Sequence, residues 1–287
     1  MNLIKKFVAL CLACSFPVQF SQPTVTFTHG TIVVIMVMDD RIVASADSRE
    51  IKTGDTTGAS TLSSDSTCKL FPLGKSMFFT ASGIGSVAEN RAGKLSYVFR
   101  AGDVSRQAFH KFSGEEASDL RTKKMATYWG QTVRDQIQHM IATHQNPPAT
   151  DNEYLTGIFV SSSRDKQWSV YEVPIKAELA KDRKIVTYAV TPLTAPIPYT
   201  VELGSSHNMV KEFFTIQTKR SIVAQQKMGE IIKSHPNVDS IAFSLEFAIL
   251  TAEKWEPNNP TFGGKVDVLE LKRDGGVHWV KVKENCR

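Results

Sequence analysis

The sequence predicts one α+β domain in which two sheets carry helices on their outer faces. Three observations carry that expectation. Strand-like segments open the chain, return in its middle and close it. Two pairs of helical stretches separate them. Neither an internal repeat nor a domain-sized linker interrupts the 287 residues. Hydrophobic residues make up 41% and charged residues 22%, which fits a chain with a packed core rather than a disordered one.

The elements follow in order. Residues 16–30 hold Pro17 and Pro23 and show no clear period, so they read as a short linker or pro-segment. Residues 31–38 (TIVVIMVM) form an apolar run and residues 41–46 (RIVASA) a second, with Asp39-Asp40 between them. A two-residue connection between such runs predicts a β-hairpin. In that register paired positions sum to 79, which sets Thr31 opposite Ser48 with Asp47 and Arg49 as its cross-strand neighbours. A slip of one residue would turn every side chain to the other face. Residues 50–66 are rich in Thr, Ser and Gly and read as a loop or lid. Residues 68–73 and 76–81 predict a hairpin turning at Gly74-Lys75.

Helical stretches are expected near 85–112 and 115–144. In the second, Ala126, Trp129, Val133, Ile137 and Met140 recur at steps of three and four, an amphipathic stripe that ends at Asn146-Pro147-Pro148. Strands are expected at 154–161, 167–174, 184–191 and 196–204. Residues 206–234 and 239–255 read as two helices. Residues 265–271 and 277–282 read as a last hairpin around Asp274-Gly275-Gly276.

The first residues resemble a secretory signal, placed at 1–15: Lys5-Lys6, a short apolar stretch from Phe7 to Cys14, and a small-residue cleavage pattern at Ala13-Cys14-Ser15. That stretch is too short for a stable membrane anchor, so the expected location is secreted or periplasmic, with cytoplasmic as the alternative. Outside the signal stand Cys68 and Cys286, which could pair in an exported protein. The net charge is +5, of which Lys5 and Lys6 supply two, and no basic cluster with interleaved aromatics occurs. Nucleic acid is therefore not an expected partner. No zinc motif, GxGxxG or P-loop is present, so neither metal nor nucleotide has support.

The chemistry centres on Gly30-Thr31. A threonine within a chain is a poor nucleophile. It becomes a good one once the peptide bond before it is cut, because the new α-amine can take the hydroxyl proton. That amine has an ordinary pKa of about 7.7–8.0, usable near neutrality. Asp47 would supply a carboxylate beside it. The same residues could also form a plain edge hairpin closed by a surface ion pair.

GTIVVIMVMDDRIVASADSRE followed by CKLFPLGKSMFFTASG resembles the start of proteasome-type β subunits, a family of N-terminal-nucleophile (Ntn) hydrolases. The resemblance runs from about Gly30 to the C-terminus and is sharpest in 30–49 and 69–85. It implies a four-layer αββα sandwich spanning 31–287 and a threonine peptidase made as a precursor that cuts itself at Gly30-Thr31. Thr31 matches the nucleophile, Asp47 the orienting acid, Lys69 the lysine that eases proton transfer, and Gly83 the oxyanion-hole glycine. Ser205 matches the supporting serine, although a helix N-cap fits it equally well. Gly30 matches the residue before the cut and Arg49 a structural arginine.

Asn259 stands where the family has a supporting acid, and Phe262 where it has a serine. Ile32 follows the nucleophile where the family has a small polar residue. About six extra residues fall between Asp47 and Lys69. The resemblance implies a peptide or amide substrate, no cofactor, and a homo-oligomer as one option. Two alternatives stay open: a secreted Ntn amidohydrolase acting on a small acyl amide, and a non-catalytic Ntn-fold binding or assembly protein, which the changes at Asn259 and Phe262 favour.

Overall fold

In the computed structural model the unbroken apolar run after Gly30 is buried on both sides. The structure describes residues 24–54, 60–65, 67–91, 94–143, 145, 147, 149, 152–180, 183–204, 207–273 and 276–286. The signal-like segment 1–15 and Ser205 lie outside the described residues. Strand β2 (Val33–Val37) pairs with β3 (Arg41–Ala46), Val33 facing Ala46 and Val37 facing Ile42. These pairs sum to 79, the expected register. Val33, Ile35, Ile42 and Ala44 face one core, while Val34 and Val43 face another. Two-sided burial explains why the sequence there does not alternate with polar residues.

Around this hairpin the described residues are mixed α/β with three antiparallel sheets. The first orders its strands β14 (Tyr199–Leu203), β2, β3, β15 (Asp267–Lys272) and β16 (Val277–Lys281). The second orders β12 (Arg183–Tyr188), β11 (Trp168–Ala180), β10 (Glu153–Ser162), β7 (Met77–Gly83) and β6 (Leu70–Pro72), with β13 (Thr191–Pro192) on β11. These two sheets share a core of Ile35, Ala44, Phe78, Ile158, Val160 and Leu269.

Two helices, α1 (Ala101–Lys111) and α2 (Asp119–Ala142), cover the outer face of the second sheet. The whole predicted stripe of α2, from Ala126 to Met140, is buried there. Trp129 packs on Phe79 at 5.2 Å between ring centres and donates its indole N–H to Ala101 O. Three helices, α3 (His207–Thr215), α4 (Lys219–Ser234) and α5 (Ser240–Trp255), lie on the other side with α3 and α5 in the core against the first sheet. The arrangement is compatible with a layered sandwich.

The third sheet orders β5 (Ser60–Ser64), β4 (Glu50–Gly54), β1 (Thr24–His29), β8 (Ser86–Arg91) and β9 (Lys94–Arg100). It corrects three expectations. Residues 24–29 form a strand where no clear period was expected; Val25 and Phe27 alternate inward in TVTFTH and are buried. The polar stretch 50–66 is not a plain loop, because β4 takes its backbone partners from β1. Strands β8 and β9 pair with each other where a helix was expected. Their alanine, glutamate and arginine suit a helix, but pairing with β1 overrides local preference. A fourth difference lies in the C-terminal half, where 206–234 splits into two helices. Thr218 caps the second: its hydroxyl accepts from Ser221 N–H and Ser221 Oγ accepts from Thr218 N–H. No helix among the described residues is long and apolar enough to cross a membrane.

Candidate active site

Thr31 sits where β1 ends and β2 begins, and only 3% of its surface is exposed. Three glycines let backbone close around it. Gly30 has φ +99°, and a Cβ there would stand 2.1 Å from Thr261 O. Gly204 has φ +114°, and a Cβ there would stand 1.9 Å from Thr31 O. Gly83 ends β7 with φ +99°, against Tyr154 O. An L side chain at any of them would meet both strain and a clash.

Asp47 follows β3 and extends the hairpin by one rung, its N–H donating to Ile32 O at 3.2 Å. Its carboxylate is fully buried. Oδ1 accepts the Ile32 N–H at 2.9 Å and Oδ2 accepts the Gly263 N–H at 2.8 Å. One carboxylate thus ties the strand that follows Thr31 to the loop before β15. That loop is tied again by Ser48 and Arg49, whose N–H groups both donate to Gly263 O. Arg49 continues the clamp with Nε to Asp65 at 2.7 Å and Nη1 to Phe262 O at 3.0 Å.

Lys69 enters from the residue before β6. Its ammonium is 2.5 Å from Thr31 Oγ1, 2.5 Å from Arg49 O and 3.5 Å from Asp47 Oδ1, and it also donates to Gly30 O. The Thr31 hydroxyl itself contacts Gly30 O. Burial pushes the Lys69 pKa down from the usual lysine range, and the Asp47 charge opposes that push. A lysine whose pKa is lowered gives up its proton more readily than an exposed one.

The segment carrying Lys69 is pinned from the C-terminus. Cys68 and Cys286 form a disulfide. Buried Lys283 donates to Thr67 O at 3.0 Å and pairs with buried Asp267 at 2.5 Å. The sequence alone leaves the cysteine pairing open and does not single out Lys283 or Asp267. No motif marks them; their only signal is two opposite charges at the two ends of the closing hairpin.

Thr31, Lys69 and Gly83 open on a cavity of about 260 Å³ that is also lined by His29, Phe71 and Arg106. His29 Nε2 lies 2.7 Å from Thr53 Oγ1, and burial followed by the Lys69 charge lowers its pKa. A larger cavity of about 780 Å³ lies between α5 and the β15–β16 hairpin, lined by Glu246, Lys265, Lys281 and Lys283. Thr31, Asp47 and Lys69 do not line it.

Asn259 bonds within its own turn. It donates to Glu256 Oε2 and accepts from both N–H and Oγ1 of Thr261. It thereby shapes the loop whose carbonyl abuts Gly30. Phe262 is fully buried among α3 and α5 residues. Among the described residues no group of His, Cys, Asp and Glu could hold a metal ion. No known family model matches the chain, and no curated protein matches it either.

Proposed function

We propose that the chain is a threonine-nucleophile hydrolase of the Ntn type, with the αββα layering of that fold, which cuts itself between Gly30 and Thr31 and then cleaves peptide bonds. The observation that carries this reading is Lys69: one buried ammonium touches the Thr31 hydroxyl, the Gly30 carbonyl oxygen and the Asp47 carboxylate side. A structural lysine needs one carboxylate partner. Contact with both the attacking oxygen and the carbonyl under attack suits acyl transfer.

In the first step Thr31 Oγ adds to the Gly30 carbonyl carbon, and its proton passes by way of Lys69 to the Thr31 nitrogen as the C–N bond breaks. An ester between Gly30 and Thr31 Oγ results. Water then splits the ester into a Gly30 carboxylate and a Thr31 with free hydroxyl and α-amine. During addition the charge on the former carbonyl oxygen is met by the Lys69 ammonium. In later turnovers the α-amine serves as base, Lys69 holds the alkoxide, and the Gly83 N–H is the assigned donor to the substrate oxyanion.

The test is a Thr31→Ala chain beside the natural one. The natural chain yields a product starting at Thr31 that, once freed of the fragment ending at Gly30, is labelled by a threonine-reactive electrophile and cleaves peptides. The variant stays joined through residue 30–31, unlabelled and inactive. Processing and cleavage by Thr31→Ala would refute the assignment. A processed natural chain that hydrolyses acyl amides but ignores peptides would move the reading to the amidohydrolase alternative.

A further inference from the structure

We infer that the slot between β4 and β8 is a binding surface for the chain's own N-terminal strand, which stays bound there after the Gly30–Thr31 bond is cut and covers the site. The inference rests on the self-processing reading above. Strand β1 is not an appendage. It pairs with β4 on one side, from Thr26 opposite Gly54 to His29 opposite Ile51. It pairs with β8 on the other, from Thr24 opposite Asn90 to Thr28 opposite Ser86. Val25 and Phe27 are buried in the core shared with α1 and α2. The Thr28 hydroxyl lies 2.5 Å from Ser86 Oγ.

Cutting one peptide bond removes none of these contacts. Leaving would also be unfavourable for the rest of the sheet. Strands lie about 4.8 Å apart, so β4 and β8 would face each other across roughly twice that distance, too far to pair. The new Gly30 carboxylate adds a contact, because Lys69 already donates to the oxygen from which it forms. A charged acceptor strengthens that bond. The fragment ending at Gly30 is therefore a tethered product turned into a bound one. Its last residues, His29 and Gly30, line the same cavity as Thr31. Activity then waits on departure or displacement of this strand, and the slot accepts an extended segment with apolar side chains at alternate positions.

The experiment compares masses of the natural full chain under denaturing and native conditions. Denaturing spectra should show two pieces, one ending at Gly30 and one starting at Thr31. Native spectra and gel filtration should show them together at one to one. Two pieces under denaturing conditions with the Thr31 body alone under native conditions would overturn the inference and leave the processing reading standing. A single uncut chain would instead refute the processing reading and the inference with it.

Phe27→Asp places a charge in the core and should speed loss of the fragment on the order of tenfold or more. Labelling of Thr31 should rise with that loss. Should this variant fail to fold, a synthetic peptide of residues 24–30 added to fragment-depleted body decides the matter. Suppressed labelling supports the inference, and labelling unchanged by excess peptide overturns it.

Discussion

Asp47→Asn is nearly isosteric, yet the geometry predicts a large effect. Both carboxylate oxygens accept backbone N–H groups, from Ile32 at 2.9 Å and Gly263 at 2.8 Å, in a fully buried site. An amide offers one oxygen and one NH2, so either flip sets donor against donor. An unmet buried N–H costs about 1–3 kcal/mol. The surviving bond loses its charged acceptor, which removes about 1 kcal/mol more. Lys69 loses its carboxylate at 3.5 Å, but its depressed pKa lets it shed the proton rather than stand unpaired, which limits that contribution.

The total is about 2–4 kcal/mol, and at roughly 2–4 °C per kcal/mol for a domain of this size the melting point falls by about 5–15 °C. The assay is thermal unfolding by circular dichroism of Thr31→Ala with and without Asp47→Asn, so that both chains are uncut. Asp47→Asn alone should slow self-cleavage on the order of 100-fold, because Thr31 and Lys69 lose their common anchor. Melting within about 1 °C of the parent together with unchanged cleavage would refute the reasoning.

Other expectations concern neighbouring groups. Lys69→Arg keeps a charge but removes a group able to give up its proton, so self-cleavage should stop while the fold persists; gel analysis of the expressed chain reads this directly. Because the Lys69 pKa is lower in the folded chain than in the unfolded one, its contribution to stability rises as pH climbs from that lowered value into the usual lysine range, and is lost below it. Urea unfolding across that range should show a steeper rise for the natural chain than for Lys69→Met. Cys286→Ser opens a loop spanning 218 residues and should cost about 2–5 kcal/mol, measured by denaturant midpoint. Gly204→Ala should slow cleavage, since its Cβ would stand 1.9 Å from Thr31 O, whereas Gly229→Ala meets nothing within 4 Å and should leave cleavage unchanged.

The β2–β3 register was legible because two apolar runs flank a two-residue turn and both faces of the hairpin are buried. The α2 stripe was legible for a related reason: every residue in it packs on one sheet. The third sheet was not, and the cause is physical. β4 and β5 hold mostly Thr, Ser, Lys and Gly, and they become strands because β1 presents a paired backbone edge. β1 did carry a period of two in Val25 and Phe27, but over six residues beside prolines it was too short to weigh. In the site, Thr31, Asp47 and Lys69 stand together as their motif suggested. Lys283 and Asp267, which pin the lysine's segment, belong to the opposite end of the chain and have no local signature. Asn259, expected to support the nucleophile, accepts hydrogen bonds from Thr261, whose carbonyl is the group that a Cβ at Gly30 would meet.

The central claim is that Thr31 becomes an N-terminus. N-terminal sequencing of the protein purified from its native host, beside the Thr31→Ala chain, tests it directly. The proposed chemistry requires a chain beginning Thr31-Ile32-Val33 in the natural protein and none in the variant. A natural chain whose 30–31 bond remains intact would leave the threonine without its amine and would contradict the account.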